Sequence, residues 1–192
     1  MNTFDFLSQN VGLFKGFPAE RLQQLVAGSR VASFEAKEAI AHHGAEATHF
    51  GVVLSGNVTA SVADDSGSRQ ELGRLKAGDT FNDMALMTGD AVLADFIAES
   101  RCEILLVPVS LFQSVIVAEP GTVQHISRTI AERMKTVLAD PTKAAATLRK
   151  GDDPYGLKLK GERPEKILVI NCGSSSLKYS FYDTTDESRQ DR

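Results

Sequence analysis

The stretch Gly78-Asp79-Thr80-Phe81-Asn82-Asp83-Met84-Ala85-Leu86-Met87-Thr88-Gly89 decides how this chain reads. Its centre, Asn82–Met87, is a short helical interruption closed by Thr88-Gly89-Asp90, and what surrounds it is not helical. Between Val31 and Val109, short runs of β-forming residues are separated by Gly, Asp and Ser. His49–Leu54 is one such run, with Ser55-Gly56-Asn57 as the turn after it. Val58, Ala60 and Val62 then alternate with Thr59 and Ser61, the period-two signature of a half-buried strand. Asp64-Asp65-Ser66-Gly67 reads as a hairpin turn, and Glu71–Leu75, Asp95–Ala98 and Cys102–Val107 complete the set. Short strands at spacings of roughly 8–12 residues predict a sandwich, jelly roll or barrel.

On either side of the β region the period becomes helical. Pro18 suits a first helical turn, where its missing N–H has no partner to lose. Leu22, Leu25 and Val26 follow on one face, Gly28 is a stop signal, and Phe14 and Phe17 flank the preceding turn. After Pro108, the residues Val123, Ile126, Ile130, Met134 and Val137 step by three, four, four and three. That is a narrow apolar stripe on a helix of about five turns, with Arg and Lys on its other faces. Residues 141–165 read as a linker, with Pro and Gly set among charges. Lys166–Ile170 is then a continuous apolar strand, followed by Asn171-Cys172-Gly173-Ser174-Ser175-Ser176 and a second strand, Leu177–Tyr182. The expected organisation is a domain at 1–140, a linker at 141–165 and a C-terminal segment at 166–192.

Hydrophobic residues make up 42% and charged residues 24% of the 192, ordinary for a soluble globular protein. The 25 acidic and 21 basic side chains leave a net charge of −4, so no nucleic-acid partner is expected. Cys102 and Cys172 form no disulfide framework, which points to a reducing cytoplasm. The longest apolar stretch, Ile104–Val109, is far shorter than the ~20 residues that span a bilayer. The N-terminus, Met1-Asn2-Thr3-Phe4-Asp5, lacks the basic start and apolar run of a signal peptide, and no membrane partner is expected.

Three motifs in order carry a resemblance: Leu13-Phe14-Lys15-Gly16-Phe17-Pro18, Val52-Val53-Leu54-Ser55-Gly56-Asn57-Val58, and the stretch quoted at the start. Together they resemble the cyclic-nucleotide-binding domain family, and the third resembles its phosphate-binding cassette. The resemblance implies a mainly β fold, a jelly roll (double-stranded β-helix) with N-terminal helices and a long closing C-terminal helix. It also implies a cyclic nucleotide, cAMP or cGMP, as ligand, with no cofactor required. The ligand-binding residues carried over are Asn82, Asp83, Met84, Ala85, Val92 and Leu93. Ala85 and Leu93 would supply phosphate-facing amides, and Asp83 would bind the ribose hydroxyl. Amides at a short helix's N-terminus, aided by its dipole, suit an anion. The sequence departs from the family pattern in three places. The family's glycine is Asn82, its glutamate is the shorter Asp83, and its phosphate-pairing arginine falls on Val92. The last change removes a charge-assisted contact of ~1.5–3 kcal/mol, roughly ten- to a hundredfold in affinity. Arg69, Arg74 and Lys76 are the neighbouring cations that could stand in.

A second resemblance covers only the C-terminal segment. Ile167-Leu168-Val169-Ile170-Asn171-Cys172-Gly173-Ser174-Ser175-Ser176-Leu177-Lys178-Tyr179 resembles the N-terminal signature of acetate kinases. A small, hydroxyl-rich turn after a buried strand offers amides and hydroxyls to phosphate oxygens, and a carboxamide can help order Mg²⁺. The resemblance places Asn171 near the metal and Ser174, Ser176 and Lys178 in the phosphate-binding turn. Such kinases need a second domain and further catalytic groups, so this chain alone is not expected to transfer a phosphoryl group.

The remaining polar residues carry weaker signals. His42, His43 and His49 read as surface or turn histidines, since adjacent strand residues point to opposite faces. His125, Arg128, Arg133 and Lys135 read as the solvated side of the long helix, and Cys102 reads as core. The expected role is a regulatory sensor domain preceding a kinase. The alternatives are a ligand-free docking domain, with a homodimer seam along helix 121–139, or the first part of an acetate kinase.

Overall fold

In this computed structural model, residues 2–63, 67–140 and 142–143 are described in full, and two strands further on, Lys166–Cys172 and Leu177–Asp183, by their backbone. The chain divides into two compact units, Met1–Arg149 and Lys150–Arg192. Nearly all of the expected linker, and residues 64–66 of the expected hairpin turn, lie outside the described residues.

The first unit opens with helix α1 (Thr3–Asn10), whose N-terminus is capped by the Asn2 side chain accepting the Asp5 N–H at 2.8 Å. A 3₁₀ turn at Gly12–Phe14 leads to α2 (Ala19–Ala27), which buries Leu22 and Leu25. Pro18 stands at the N-cap of α2, one position before the helix proper, and Gly28 is its C-cap. The Phe14 and Phe17 rings meet edge to face, 5.4 Å apart.

Eight strands follow: β1 (Arg30–Phe34), β2 (Ala39–Ala41), β3 (His49–Ser55), β4 (Asn57–Ala63), β5 (Arg69–Lys76), β6 (Thr80–Phe81), β7 (Asp95–Ala98) and β8 (Cys102–Pro108). They form two four-stranded antiparallel sheets, in the orders β1-β8-β3-β6 and β2-β7-β4-β5. Helix α3 (Asp83–Thr88) interrupts the second half of the run. This is the mainly antiparallel, helix-flanked architecture expected.

The continuous apolar run in β8 has a tertiary reason. Ile104 and Leu106 pack with Val53, Val58, Leu75, Phe81 and Ala98 between the two sheets. Leu105 and Val107 pack on the opposite face against Leu7, Phe14, Leu22 and Leu25 from the helices. The sheet holding β8 is thus covered on both faces, and its inner strands need no polar face. Gly51 is required there: a Cβ on it would lie 2.1–2.5 Å from the Phe81 ring, which itself stacks on Phe96 at 4.8 Å. The alternation read in β4 breaks at a bulge between Ala60 and Ser61, which leaves the Ser61 side chain inside.

After β8, a short turn α4 (Val109–Leu111) runs into a π-helical turn at Phe112–Val117, and then α5 (Thr122–Leu138) closes the unit. Helix α5 has the expected length, but its packed face is rotated from the expected stripe. Ile126 is buried while Val123 is 39% exposed, and Thr122 is buried beside it. The rotation turns Thr129 and Arg133 toward the start of α3.

In the second unit, β9 (Lys166–Cys172) and β10 (Leu177–Asp183) pair antiparallel, with Asn171 opposite Lys178 and Ile170 opposite Tyr179. No helix among the described residues is long and apolar enough to cross a membrane.

Candidate functional site

The cassette begins at a turn held by backbone and side chain together. Asp79 Oδ2 accepts the Lys76 N–H at 2.8 Å, and the Asp79 carbonyl accepts the Val53 N–H at 2.9 Å. Thr80 and Phe81 then pair with Val52 and Gly51, which carries the chain to the end of β6. Asn82 turns it into α3 with φ at 63° and ψ at 7°, a left-handed conformation. Glycine takes that conformation without strain, and asparagine is among the few other residues that visit it. This accounts for asparagine at the family's glycine position. Its Nδ2 donates to the His49 carbonyl at 3.1 Å, while its Oδ1 is buried with no donor.

Asp83 opens α3 and is almost fully buried. One carboxylate oxygen accepts the Met84 N–H at 2.9 Å. The other accepts the Thr80 hydroxyl at 3.3 Å and an Arg133 N–H at 2.9 Å. Arg133 also reaches Thr80 Oγ1 at 3.4 Å. The side chain read as the ribose acceptor is therefore tied, across fifty positions of sequence, to the closing helix. Arg133 is thus half-exposed and bonded to Asp83 and Thr80, not simply solvated as expected. Arg128 and Lys135 are exposed as expected. The signal for Arg133 was present: it stands seven residues, two helical turns, after the buried Ile126, and so shares its face.

The other cassette residues divide by exposure. Ala85 and Val92 are buried in the same core cluster, Met84 is half-buried, and Leu93 is 42% exposed. Val92 donates its N–H to the Ala45 carbonyl and accepts the Gly44 N–H, both at 2.8 Å. The arginine position is thus an apolar side chain, 2% exposed, with both backbone groups committed. Of the three cations considered as substitutes, Lys76 is exposed and the two arginines bond elsewhere. Arg69 bonds Asp95 at 3.1 Å and Ser61 at 3.3 Å, and Arg74 bonds Glu71 at 3.0 Å and Glu99 at 3.2 Å.

His125 is not free in solvent either: its ring lies over Gly12, where a Cβ would come within 3.4–3.5 Å of it. A cleft of about 190 Å³ opens at this junction, with Gly12, Asp79, Asp83, His125, Thr129 and Arg133 on its walls. A second cleft, of about 320 Å³, lies between α1 and the sheet edge at Phe6, Val31, Leu54 and Glu103. Neither is lined by Met84, Ala85, Val92 or Leu93.

His42 and His43 lie exposed in a turn as expected, whereas His49 opens β3 and is half-buried. His42 Nδ1 lies 3.6 Å from Asp95, and His43 donates its backbone N–H to the same carboxylate at 3.0 Å. His49 is held below its ordinary pKa by burial and by the nearby Arg30 charge. Among the described residues no three His, Cys, Asp or Glu side chains gather to hold a metal. Cys102 is core, and burial together with the Glu38 charge pushes its thiol pKa up. In the C-terminal segment, Asn171 and Lys178 face each other in the β9–β10 register, and Ser174 and Ser176 lie outside the described residues.

Comparison with known proteins follows the same division. The family model described as "Cyclic nucleotide-binding domain" matches residues 31–119. The cAMP-activated global transcriptional regulator CRP of Pasteurella multocida is 25% identical over 115 residues, 59% of this chain and 55% of that protein. Lysophospholipase NTE1 of Coccidioides immitis is 30% identical over 118 residues, 62% of this chain and 7% of that protein. The chain thus spans about half of the regulator and a small part of the lysophospholipase. Acetate kinase of Finegoldia magna is 78% identical over 23 residues, 12% of this chain and 6% of that enzyme. Among solved structures, the regulatory domain of Toxoplasma gondii PKA with cAMP has a TM-score of 0.61 at 21% identity, covering 67% of this chain and 48% of that one. The regulatory subunit of a cAMP-independent protein kinase A from Trypanosoma cruzi, bound to guanosine, has a TM-score of 0.58 at 18% identity, covering 74% and 46%. Family match and architecture agree: residues 31–119 match the model of the cyclic nucleotide-binding domain, and the first unit has the fold of the solved structures similar to it.

Proposed function

We propose that residues 1–140 are a regulatory, ligand-sensing domain whose ligand is a neutral, nucleoside-like molecule rather than a charged cyclic phosphate. The regulatory, non-catalytic character follows the domain type. The observation that carries the choice of ligand is Val92, apolar and 2% exposed where a phosphate-pairing arginine is expected. A cyclic phosphate there would bring a charge with no cation to meet it, and burying an unpaired charge is heavily penalised. The start of the cassette offers acceptors instead: the buried Asn82 Oδ1, which has no donor, and the Asp83 carboxylate. Acceptors suit the hydroxyls of a sugar. A solved relative of the same fold is described with guanosine bound, which shows that the fold accommodates such a ligand in that protein.

Regulation would pass through Asp83. A ligand at the cassette changes what its carboxylate bonds, and Arg133 couples that carboxylate to α5. Helix α5 leads toward the linker and the segment that resembles an acetate kinase, so the regulated activity we propose is that of such a kinase in the natural polypeptide. The test is calorimetric titration of the folded protein with guanosine, adenosine, cAMP and cGMP. Nucleosides are expected to bind at least about tenfold more tightly than the cyclic nucleotides, the lower end of a lost charge-assisted contact. Tighter binding of cAMP or cGMP would overturn the reading. A second reading, homodimerisation along helix 121–139, is favoured by the exposed Val123 and the half-exposed Ile130, Met134 and Val137. Light scattering with and without nucleoside separates the two: a stable dimer indifferent to ligand supports the second.

A further inference from the structure

The cleft where α5 meets the start of the cassette is lined by charges of both signs, Asp79, Asp83 and Arg133. On α5, His125, Thr129 and Arg133 recur at four-residue intervals and line one wall. They present an imidazole, a hydroxyl and a guanidinium along one helical face. Arg133 spends N–H groups on Asp83 and Thr80, but a guanidinium has five such donors in a planar fork. Asp79, one of whose carboxylate oxygens accepts the Lys76 N–H, also lines the cleft. Val11, Leu13 and Ile126 supply its apolar lining.

From this arrangement we propose a second binding site, between α5 and the start of the cassette and away from Ala85, Val92 and Leu93, for a small zwitterion of the α-amino acid class. The ligand's carboxylate lies against Arg133 and Thr129, and its ammonium group lies against Asp79. The charges decide the class. Arg133 already compensates Asp83 and keeps further N–H donors, while among the described residues no ion pair compensates Asp79. A simple anion would leave Asp79 unmatched, a simple cation would leave those donors unmatched, and a molecule with both groups meets each with its complement. Size narrows it further. At about 190 Å³ the cleft is below the roughly 300–1,000 Å³ of sites for drug-sized ligands, so it takes a molecule of few heavy atoms. The site joins the 3₁₀ turn, the cassette and α5, so its occupant would bind all three together.

The test is protein-observed NMR titration of the intact chain with glycine, alanine and serine, and with acetate and methylammonium as one-headed controls. Saturable shifts at millimolar or lower concentration are expected for the amino acids, centred on residues 11–13, 78–83 and 125–133. The controls should bind at least about tenfold more weakly, as the loss of one charged contact implies. Thr129→Val and Asp79→Asn, each checked for an unchanged melting curve, should weaken alanine binding severalfold. Thr129→Ser, which keeps the hydroxyl, should not. The proposal is overturned if no amino acid produces saturable shifts at millimolar concentration. It is overturned equally if acetate or methylammonium binds as tightly as alanine, or if Thr129→Val leaves binding unchanged.

Discussion

Removing the Arg133 guanidinium isolates the contact that ties the cassette to the closing helix. In Arg133→Gln, the Asp83 carboxylate keeps its bonds from Met84 and Thr80 but loses its only cation among the described residues. Breaking a fully buried pair typically destabilises by ~3–5 kcal/mol, and an exposed pair is worth about 0–1. This pair is mixed, with the Asp83 side chain 8% exposed and that of Arg133 40% exposed. Solvent screening at the arginine end moves the expectation well below the buried limit, to about 1–2 kcal/mol. For a domain of this size that is a fall of roughly 3–7 °C in melting temperature. The assay is a double-mutant cycle in urea with Arg133→Gln, Asp83→Asn and the double variant. The single variants should each be destabilised, and the double variant should cost less than their sum by about 1 kcal/mol or more. A coupling energy indistinguishable from zero, with both single variants folded, would refute the claim that this bond joins α5 to the cassette.

Three further outcomes are expected. Val92→Arg places a charge where the native side chain is 2% exposed, and should lower stability by roughly 2–4 kcal/mol without ligand; cAMP should restore part of the loss, measured as a melting-temperature shift, and an unaffected melting curve would count against the buried placement of residue 92. Gly51→Ala drives a methyl into the Phe81 ring and should cost about 1–3 kcal/mol or more in chemical denaturation; a neutral result would contradict the tight β3–β6 approach. The lowered pKa of His49 means that the unfolded chain takes up a proton at higher pH than the folded one. Its contribution to stability is therefore complete above the unfolded value of about 6.5 and is lost as pH falls below it. The loss of stability as pH falls below about 6.5 should be smaller in His49→Gln, measured by denaturation across that range.

Much of the fold was legible because it is written in local periods. The alternation in β4, the run at Cys102–Val107 and the stripe from Ile126 to Val137 mark element type from residues two to four apart, and the elements formed where they were read. The short helix α3 was legible as well, because its turn, helical residues and closing glycine follow one another directly in sequence. The left-handed Asn82 agrees with a reading that put glycine's substitute at that position.

What the sequence could not settle depends on orientations fixed by distant packing. Which face of α5 turns inward is decided by how Ile126 seats in the helical core and how His125 meets Gly12, and a stripe read at helical spacing leaves that rotation open by tens of degrees. That rotation alone converts Arg133 from a surface cation into the partner of Asp83, fifty residues away. The burial of Val92 is likewise set by its bonds to Gly44 and Ala45, a pairing across the barrel that no local period encodes. The sequence by itself determined the longer periodic elements, their order and the place of the short helix α3, but not β1, β2 and β6, which carry too little period of their own. The tertiary structure decided which side chains face it, because charge pairing and burial depend on through-space neighbours that chain order does not specify.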